Sequence, residues 1–255
     1  PNGGTDTPRS FLFDYGDKLG AVWDRFNDKD IRKKNFACDA SGNYEGIFVA
    51  GAMKNYTDGS VIPADADRQD QPLVYVDQVG TFLNNGRSLE TVMSPRWGET
   101  NSGYRVLKYP IYPESTGFDW RNIDEVEFRL AEVYYTLAEC RLRAGNSGDA
   151  KALVNKVRER YFADAAECDK PGPGFKNFDA DWMLSEWGIE FLNEGRRRTD
   201  LRRFDKFTQG QWWFFGRASE TDRQLPAKRD RKYEWFPLPQ SALMVNPGLI
   251  QNPNY

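Results

Sequence analysis

The side chains best suited to chemistry in this chain are aromatic rings set among amides, carboxylates and guanidinium groups. Trp97 stands in Pro95-Arg96-Trp97-Gly98-Glu99 and Tyr56 in Lys54-Asn55-Tyr56-Thr57-Asp58-Gly59. Tyr44, in Gly42-Asn43-Tyr44-Glu45, and Trp23 are weaker instances. The Pro, Gly, Asn and Asp around these rings mark loops, where an aromatic side chain can stay exposed. A flat ring there can stack on the apolar C–H face of a sugar while neighbouring amides and carboxylates bond its hydroxyls. These four residues are the candidate ligand contacts; ordinary packing of each ring is the competing reading.

Other chemistries are poorly served. The chain has no histidine, so neither a Ser-His-Asp nor a Cys-His mechanism, nor His-ligated zinc, can be built from it. Cys38, Cys140 and Cys168 form no CxxC pair and show neither a disulfide framework nor a metal signature. Asp65, Asp67 and Asp70 could offer oxygen ligands to calcium. The loop pattern fails, because Arg68 replaces an acid and the glycine is missing. A solvated loop is expected there, with no metal and no cofactor. Acids are plentiful, yet none falls in a recognisable acid–base pair of the glycoside-hydrolase kind. The expectation is binding without catalysis.

The run Asn193-Glu194-Gly195-Arg196-Arg197-Arg198-Thr199-Asp200-Leu201-Arg202-Arg203-Phe204-Asp205-Lys206-Phe207 holds six basic residues against three acidic ones. The whole chain is balanced, with Lys+Arg 35 against Asp+Glu 38 and a net charge of −3. A nucleic-acid binder usually carries a strong basic excess. With acids interleaved and Leu201, Phe204 and Phe207 among them, the run reads as an internal brace of arginine–carboxylate pairs.

The elements that must hold these residues divide the chain at about residue 123. Residues 1–123 are loop-rich and read as a ligand-facing region, with a short helix over 17–26 and short strands at 73–76 and 104–109. Residues 124–255 are helical. Apolar positions at 131, 134, 138 and 142 mark one face of a helix, with Asp124 as its N-cap, Glu127 as the return partner of a capping box and Gly145-Asn146 as its end. A second helix spans about Gly148 to Arg160. Together, over 126–160, they fit the spacing of a tetratricopeptide pair, with Tyr134 in the Trp place, Leu137-Ala138 in the Leu-Gly place, and Ala150 and Val154 as the Ala and Phe. Arg141 breaks the Tyr position. Only one such unit is legible, although about three normally stack. Its neighbours are expected in the irregular part or in sequence beyond these residues. A third helix runs from Asp179 or Asp181 to Asn193. Trp212-Trp213-Phe214-Phe215 and Trp235-Phe236 read as buried or site-forming clusters, followed by a short helical turn and an extended tail. No apolar run approaches the ~18–20 residues needed to span a membrane.

Three blocks of this sequence carry a resemblance. The first is Arg129-Leu130-Ala131-Glu132-Val133-Tyr134 through Ala138-Glu139, with Gly145-Asn146, Ala150, Leu153, Asn155, Val157 and Arg158. The second is Glu190-Phe191, then Glu194-Gly195-Arg196-Arg197-Arg198, Asp200-Leu201 and Arg203-Phe204. The third is Trp235-Phe236-Pro237-Leu238-Pro239-Gln240-Ser241-Ala242-Leu243, then Asn246-Pro247 and Gln251-Asn252-Pro253-Asn254-Tyr255. In order and spacing they resemble the C-terminal part of the SusD/RagB family of outer-membrane nutrient-binding lipoproteins. Asp30-Ile31-Arg32 and Ser102-Gly103-Tyr104 to Lys108-Tyr109 add weaker support. The resemblance implies a mainly α fold: a SusD-like helical scaffold with a tetratricopeptide-type pair, long irregular loops and a few short strands. It also implies capture of an oligosaccharide or polysaccharide, or of peptides in some members, and delivery to a TonB-dependent SusC-like transporter. A lipid anchor at the cell surface and an N-terminal half preceding these residues are further implications, since Pro1 to Pro8 read as a loop rather than a secretory leader. A tetratricopeptide scaffold that binds only proteins is the alternative from another class.

Overall fold

The computed structural model describes residues 12–15, 18–21, 25–38, 44–49, 51–52, 54, 58–63, 72–75, 105–106, 108, 126–209, 211–214, 224–228 and 230–255, with only backbone pairing described in most of the short strands. Within them the fold is mainly helical. Helix α1 (Leu130–Arg143) and helix α2 (Ser147–Arg158) form the expected pair. Glu132 lies in the first turn of α1 and Arg141 and Arg143 in its last, each matching the sign of the helix dipole at that end. The turn between the helices needs a left-handed residue. Gly145 supplies it at φ +85°, and the Asn146 amide donates back to the Arg141 carbonyl at 2.9 Å. Small residues let the two helices close. Ala138 of α1 and Ala150 of α2 are both fully buried.

A short helix α3 (Ala165–Cys168) leads to α4 (Ala180–Glu190), whose start is fixed by the Asp179 carboxylate accepting from the Trp182 amide at 3.0 Å. Helix α4 is the core of the molecule: Trp182 through Trp187, Ile189 and Glu190 are all buried. Trp182, Met183 and Trp187 pack against Ala131, Tyr135, Ala138, Ala150, Val154 and Val157. Tyr135 meets Trp187 edge-on at 5.3 Å and Phe191 at 5.8 Å between ring centroids, arrangements that exploit the ring quadrupoles. Helix α5 (Arg197–Arg203) lies beyond a turn in which Asn193 and Gly195 adopt positive φ. Helix α6 (Gln240–Val245) is the helical turn of the tail.

The strands are short and antiparallel. They are β1 (Leu12–Tyr15), β2 (Lys18–Ala21), β3 (Ala37–Cys38), β4 (Tyr44–Glu45), β5 (Phe48–Val49), β6 (Gly51–Ala52), β7 (Val74–Tyr75), β8 (Arg105–Val106), β9 (Gln211–Phe214) and β10 (Gln224–Lys228). One sheet runs in the order β10-β9-β1-β2; the others are the pairs β3–β4, β5–β8 and β6–β7. Strands β7 and β8 fall inside the segments read as strands from the sequence.

Several expectations are corrected. Residues 18–21 are strand β2, not helix; register with β1, Leu12 opposite Ala21 through Tyr15 opposite Lys18, overrides local propensity. Helix α1 begins at Leu130 without a side-chain cap, and Glu127 lies in an exposed bend before it. Its N-cap is Arg129, held extended so that its guanidinium can reach elsewhere. Tyr135, not Tyr134, is the fully buried tyrosine of the pair; Tyr134 only packs at the margin. Helix α2 ends at Arg158, and a 3-10 turn over Glu159–Tyr161 follows. Helix α4 stops at Glu190, three residues before the expected Asn193, because the chain must turn there. Trp235 and Phe236 are exposed, at 57% and 72%. The outer face of α1 is exposed as well, at Leu130, Val133 and Leu137.

Because Ala138 sits fully buried where α1 meets its neighbours, Ala138→Leu has no room. Overpacking of this kind costs about 1–3 kcal/mol. Thermal denaturation should show a midpoint lowered by several degrees at unchanged helical circular dichroism; an unaltered midpoint would mean that the helices are not in close contact there.

Candidate functional site

The candidate ligand-facing stretch is built outward from α4. Phe26 and Phe48 meet edge to face at 5.4 Å and pack on Ile189, with Ile47, Val106 and Leu192 around them. This apolar cluster seats the pair β5–β8, in which Phe48 is opposite Val106 and Val49 opposite Arg105. The chain between these strands carries β6 and β7, paired with each other, and the bridges Lys54–Val61 and Pro63–Pro72. Asp58 accepts from the Ser60 amide at 2.8 Å and from its hydroxyl at 2.6 Å, and Gly59 takes φ +71°. Residues 58–60 thus form a turn, and Lys54 and Val61 are bridged. Tyr56, Trp97 and Trp23 lie outside the described residues, as do Asp65, Asp67 and Asp70. Tyr44 pairs with Cys38 in β3–β4, and its side chain lies outside the description. So does every side chain of Trp212-Trp213-Phe214 in β9, while Phe215 falls outside the described residues altogether.

What the structure does bring together is a charged hub that holds this stretch to the helices. Helix α4 has no basic residue in its last turn, although exposed carbonyls at a helix C-terminus favour cations. Distant residues provide them. The Glu190 carboxylate, wholly buried, accepts from Arg32 Nη1 at 2.7 Å, from Arg160 Nη2 at 2.6 Å and from Arg129. Arg129 also donates to the Glu190 carbonyl at 2.7 Å and to Glu194 at 2.8 and 2.9 Å. Lys108 Nζ bonds the Glu190 carbonyl and the Glu194 carboxylate, with the Leu192 carbonyl at 3.5 Å. Arg32 is clamped further by Asp30, whose carboxylate takes both Nε and Nη2 and also caps the Arg32 amide. Its guanidinium lies 3.9 Å from the centre of the Tyr161 ring.

The electrostatics follow from this crowding. Burial alone would raise the Glu190 carboxyl, but Arg32, Arg129 and Arg160 hold it below the ordinary carboxylate range. Glu186, one turn earlier and fully buried, goes the other way: burial pushes it up, and Arg158 at 3.8 Å only partly offsets this. Burial also lowers the Lys108 ammonium to about 8 against the pull of Glu194.

The arginine-rich run is a brace within the chain. Arg196 joins Glu132 and Asp200 and lies 3.9 Å from the Trp187 ring centre. Arg203 grips Glu139 through two nitrogens, at 2.8 and 2.9 Å, and the Trp187 indole donates to the same carboxylate at 2.8 Å. Arg197 donates to the Leu184 carbonyl at 2.6 Å, and Arg198 to the carbonyls of Tyr233 and Glu234. Arg202 pairs with Glu234 and Lys206 with Asp181. The tail is tied in turn. The Gln251 side chain donates to the Leu238 carbonyl and accepts from its amide, Asn252 donates to the Phe236 carbonyl, and the Tyr255 hydroxyl donates to that of Trp235.

The sequence reading found the brace but not the hub. Its signal was present, since Glu186 and Glu190 stand four residues apart on a helix otherwise rich in Trp, Met, Leu and Ile. Two carboxylates on a buried helix require cations from elsewhere.

Replacing one member of a buried ion pair leaves the other charge uncompensated and typically costs about 3–5 kcal/mol. Glu190→Gln should lose stability on that scale in urea denaturation. The pH dependence has a definite sign. A carboxyl held low in the folded state contributes stability that is present above its ordinary value of 4.5 and fades as pH falls through the lowered folded value. Below pH 4.5 the wild-type chain should therefore lose stability more steeply than Glu190→Gln; parallel pH profiles would show that Glu190 is not ionised in the folded protein.

A sequence profile of the SusD family matches residues 2–255. The starch-binding protein SusD of Bacteroides thetaiotaomicron is 31% identical over 160 residues, 63% of this chain and 25% of that protein. A SusD-like protein, P25, of Formosa agariphila is 31% identical over 133 residues, 51% of this chain and 24% of its own length. The chain thus spans about a quarter of the length of these curated relatives. Among solved structures, a SusD-like protein from Bacteroides fragilis aligns with 82% of this chain and 38% of its own, at 22% identity and a TM-score of 0.49. With three sequence blocks tied to one another through α4 and α5 and a profile match along nearly its whole length, this chain belongs to the SusD family.

Proposed function

We propose that this chain is part of a non-catalytic glycan-binding protein that captures oligosaccharides at the outer-membrane surface and delivers them to a TonB-dependent SusC-like transporter. The observation that carries the reading is the match to the SusD family along residues 2–255, with a starch-binding protein among the curated relatives. A lipid anchor on a preceding segment is part of the proposal; among the described residues no helix is long and apolar enough to cross a membrane. The ligand contacts are Trp97 and Tyr56, with Tyr44 and Trp23 as further candidates. What supports this choice is residue type and setting in the sequence: aromatic rings among Gly, Pro, Asn and Asp, which can stack on a sugar face while neighbouring polar groups bond its hydroxyls.

Isothermal titration against maltooligosaccharides and a panel of other soluble glycans tests the reading. Binding of at least one glycan, with no shortened sugars in the incubation, is the expected result. An aromatic contact is worth about 0.5–1.5 kcal/mol beyond its buried area, so Trp97→Ala and Tyr56→Ala should each weaken binding several-fold or more. Saturable binding of peptides with no glycan bound would replace the glycan by a peptide, and release of cleaved sugar would refute a purely passive role.

A further inference from the structure

We propose that Lys108 and Glu194 form a latch that fastens a stalk, the strand pair β5–β8, to the end of α4, which makes them positioning residues for the ligand-facing stretch. That last step rests on the glycan-binding reading above; the latch itself does not.

The stalk is β5 with β8, through which the chain leaves at Val49 and returns at Arg105. A two-residue ladder supplies few backbone hydrogen bonds, and so short a strand pair needs further support to persist. Strand β5 is also held through Phe48, which bonds the backbone of Lys34 and Phe36; the β8 side has two side-chain supports among the described residues. Val106 and Lys108 stand two apart in the sequence. Val106 enters the apolar cluster of Phe26, Phe48 and Ile189. Lys108 reaches the Glu190 carbonyl, the Leu192 carbonyl and the Glu194 carboxylate. All three acceptors belong to the end of α4 or the turn after it, and Arg129 fixes that turn by gripping Glu190 and Glu194 together. Tyr56 and Trp97 both lie in the stretch of sequence between the two strands. No residue of the latch is itself a candidate ligand contact, so its effect on a ligand would run through the stalk.

The test is native-state hydrogen exchange on the wild-type chain, Lys108→Met, Lys108→Arg and Glu194→Gln. In Lys108→Met and Glu194→Gln, amides of Phe48, Val49, Arg105 and Val106 should exchange about tenfold faster or more, while Val154 in α2 and Trp187 in α4 keep their protection. Lys108→Arg, which keeps the cation and its reach, should restore most of the protection. Equal exchange at the stalk in all four proteins, or equal acceleration at stalk and helices, would overturn the latch. If Lys108→Met does not fold, the milder Glu194→Gln gives the same decision. The same variants titrated with the maltooligosaccharides should bind several-fold more weakly at an unchanged melting temperature of the helical core. Unlatched variants that bind as well as wild type would remove the positioning role. A wild-type chain that binds no glycan would end the glycan reading and leave the exchange result to stand by itself.

Discussion

The structure depends on the burial of one carboxylate. Glu190 closes a helix that is buried on almost every side, in a place where desolvation is costly unless the charge is surrounded. Three guanidinium groups surround it, from residues 32, 129 and 160. Each comes from a different part of the chain, and each is itself oriented by a second contact: Asp30 for Arg32, Glu194 for Arg129, the Tyr161 ring for Arg160. The arrangement decides where α4 ends, why α1 begins with an extended arginine, and which face of the early strands meets the helices.

Around that hub the apolar packing is conventional. Two alanines allow α1 and α2 to approach, and the aromatic rings of Tyr135, Trp187 and Phe191 fill the space between that pair and α4. A second carboxylate, Glu139, does for α5 what Glu190 does for the early strands: it collects Arg143, Arg203 and the Trp187 indole. Burial would raise Glu139, yet these donors keep it below its usual value. Both hubs share one logic. A helix with an aromatic, tightly packed surface carries a buried acid at its edge, and arginines converge there because their planar donors can serve one carboxylate from several directions.

How far the sequence could be read follows from this. Helices α1 and α2 were legible because their apolar spacing and the Gly145 stop are local signals. The brace over residues 193–207 was legible because acids alternate with bases in plain view. The start of α1 was misread because Asp124 and Glu127 satisfy a local capping rule, while the position that wins is set by Arg129 reaching residues sixty positions away. Strand β2 was misread for a similar reason, since its partner β1 rather than its own composition fixes it. Trp235 and Phe236 read as buried or site-forming, and burial is the part that fails. They are exposed, with Arg202 and Arg198 lying over their rings at 4.6 and 4.4 Å. For the ligand contacts, the sequence offers residue types and loop signals, and the described residues add the strand pair β5–β8 between whose strands Tyr56 and Trp97 lie in the sequence.

The wide spacing of the partners at Glu190 bears on how the chain comes to be folded at all. Arg32 and Glu190 are 158 positions apart, so at ordinary rates of translation Arg32 leaves the ribosome roughly ten to thirty seconds before its partner exists. Helices α1 and α2 can pair in the meantime, because everything they need from each other is nearby in the chain. Strands β5 and β8 can pair with each other, but they cannot dock on the helices until α4 and the turn after it have emerged. The earlier strands are therefore secured to the helices after α1 and α2 have paired, and a chain interrupted before residue 190 would pair Arg32 with Asp30 alone.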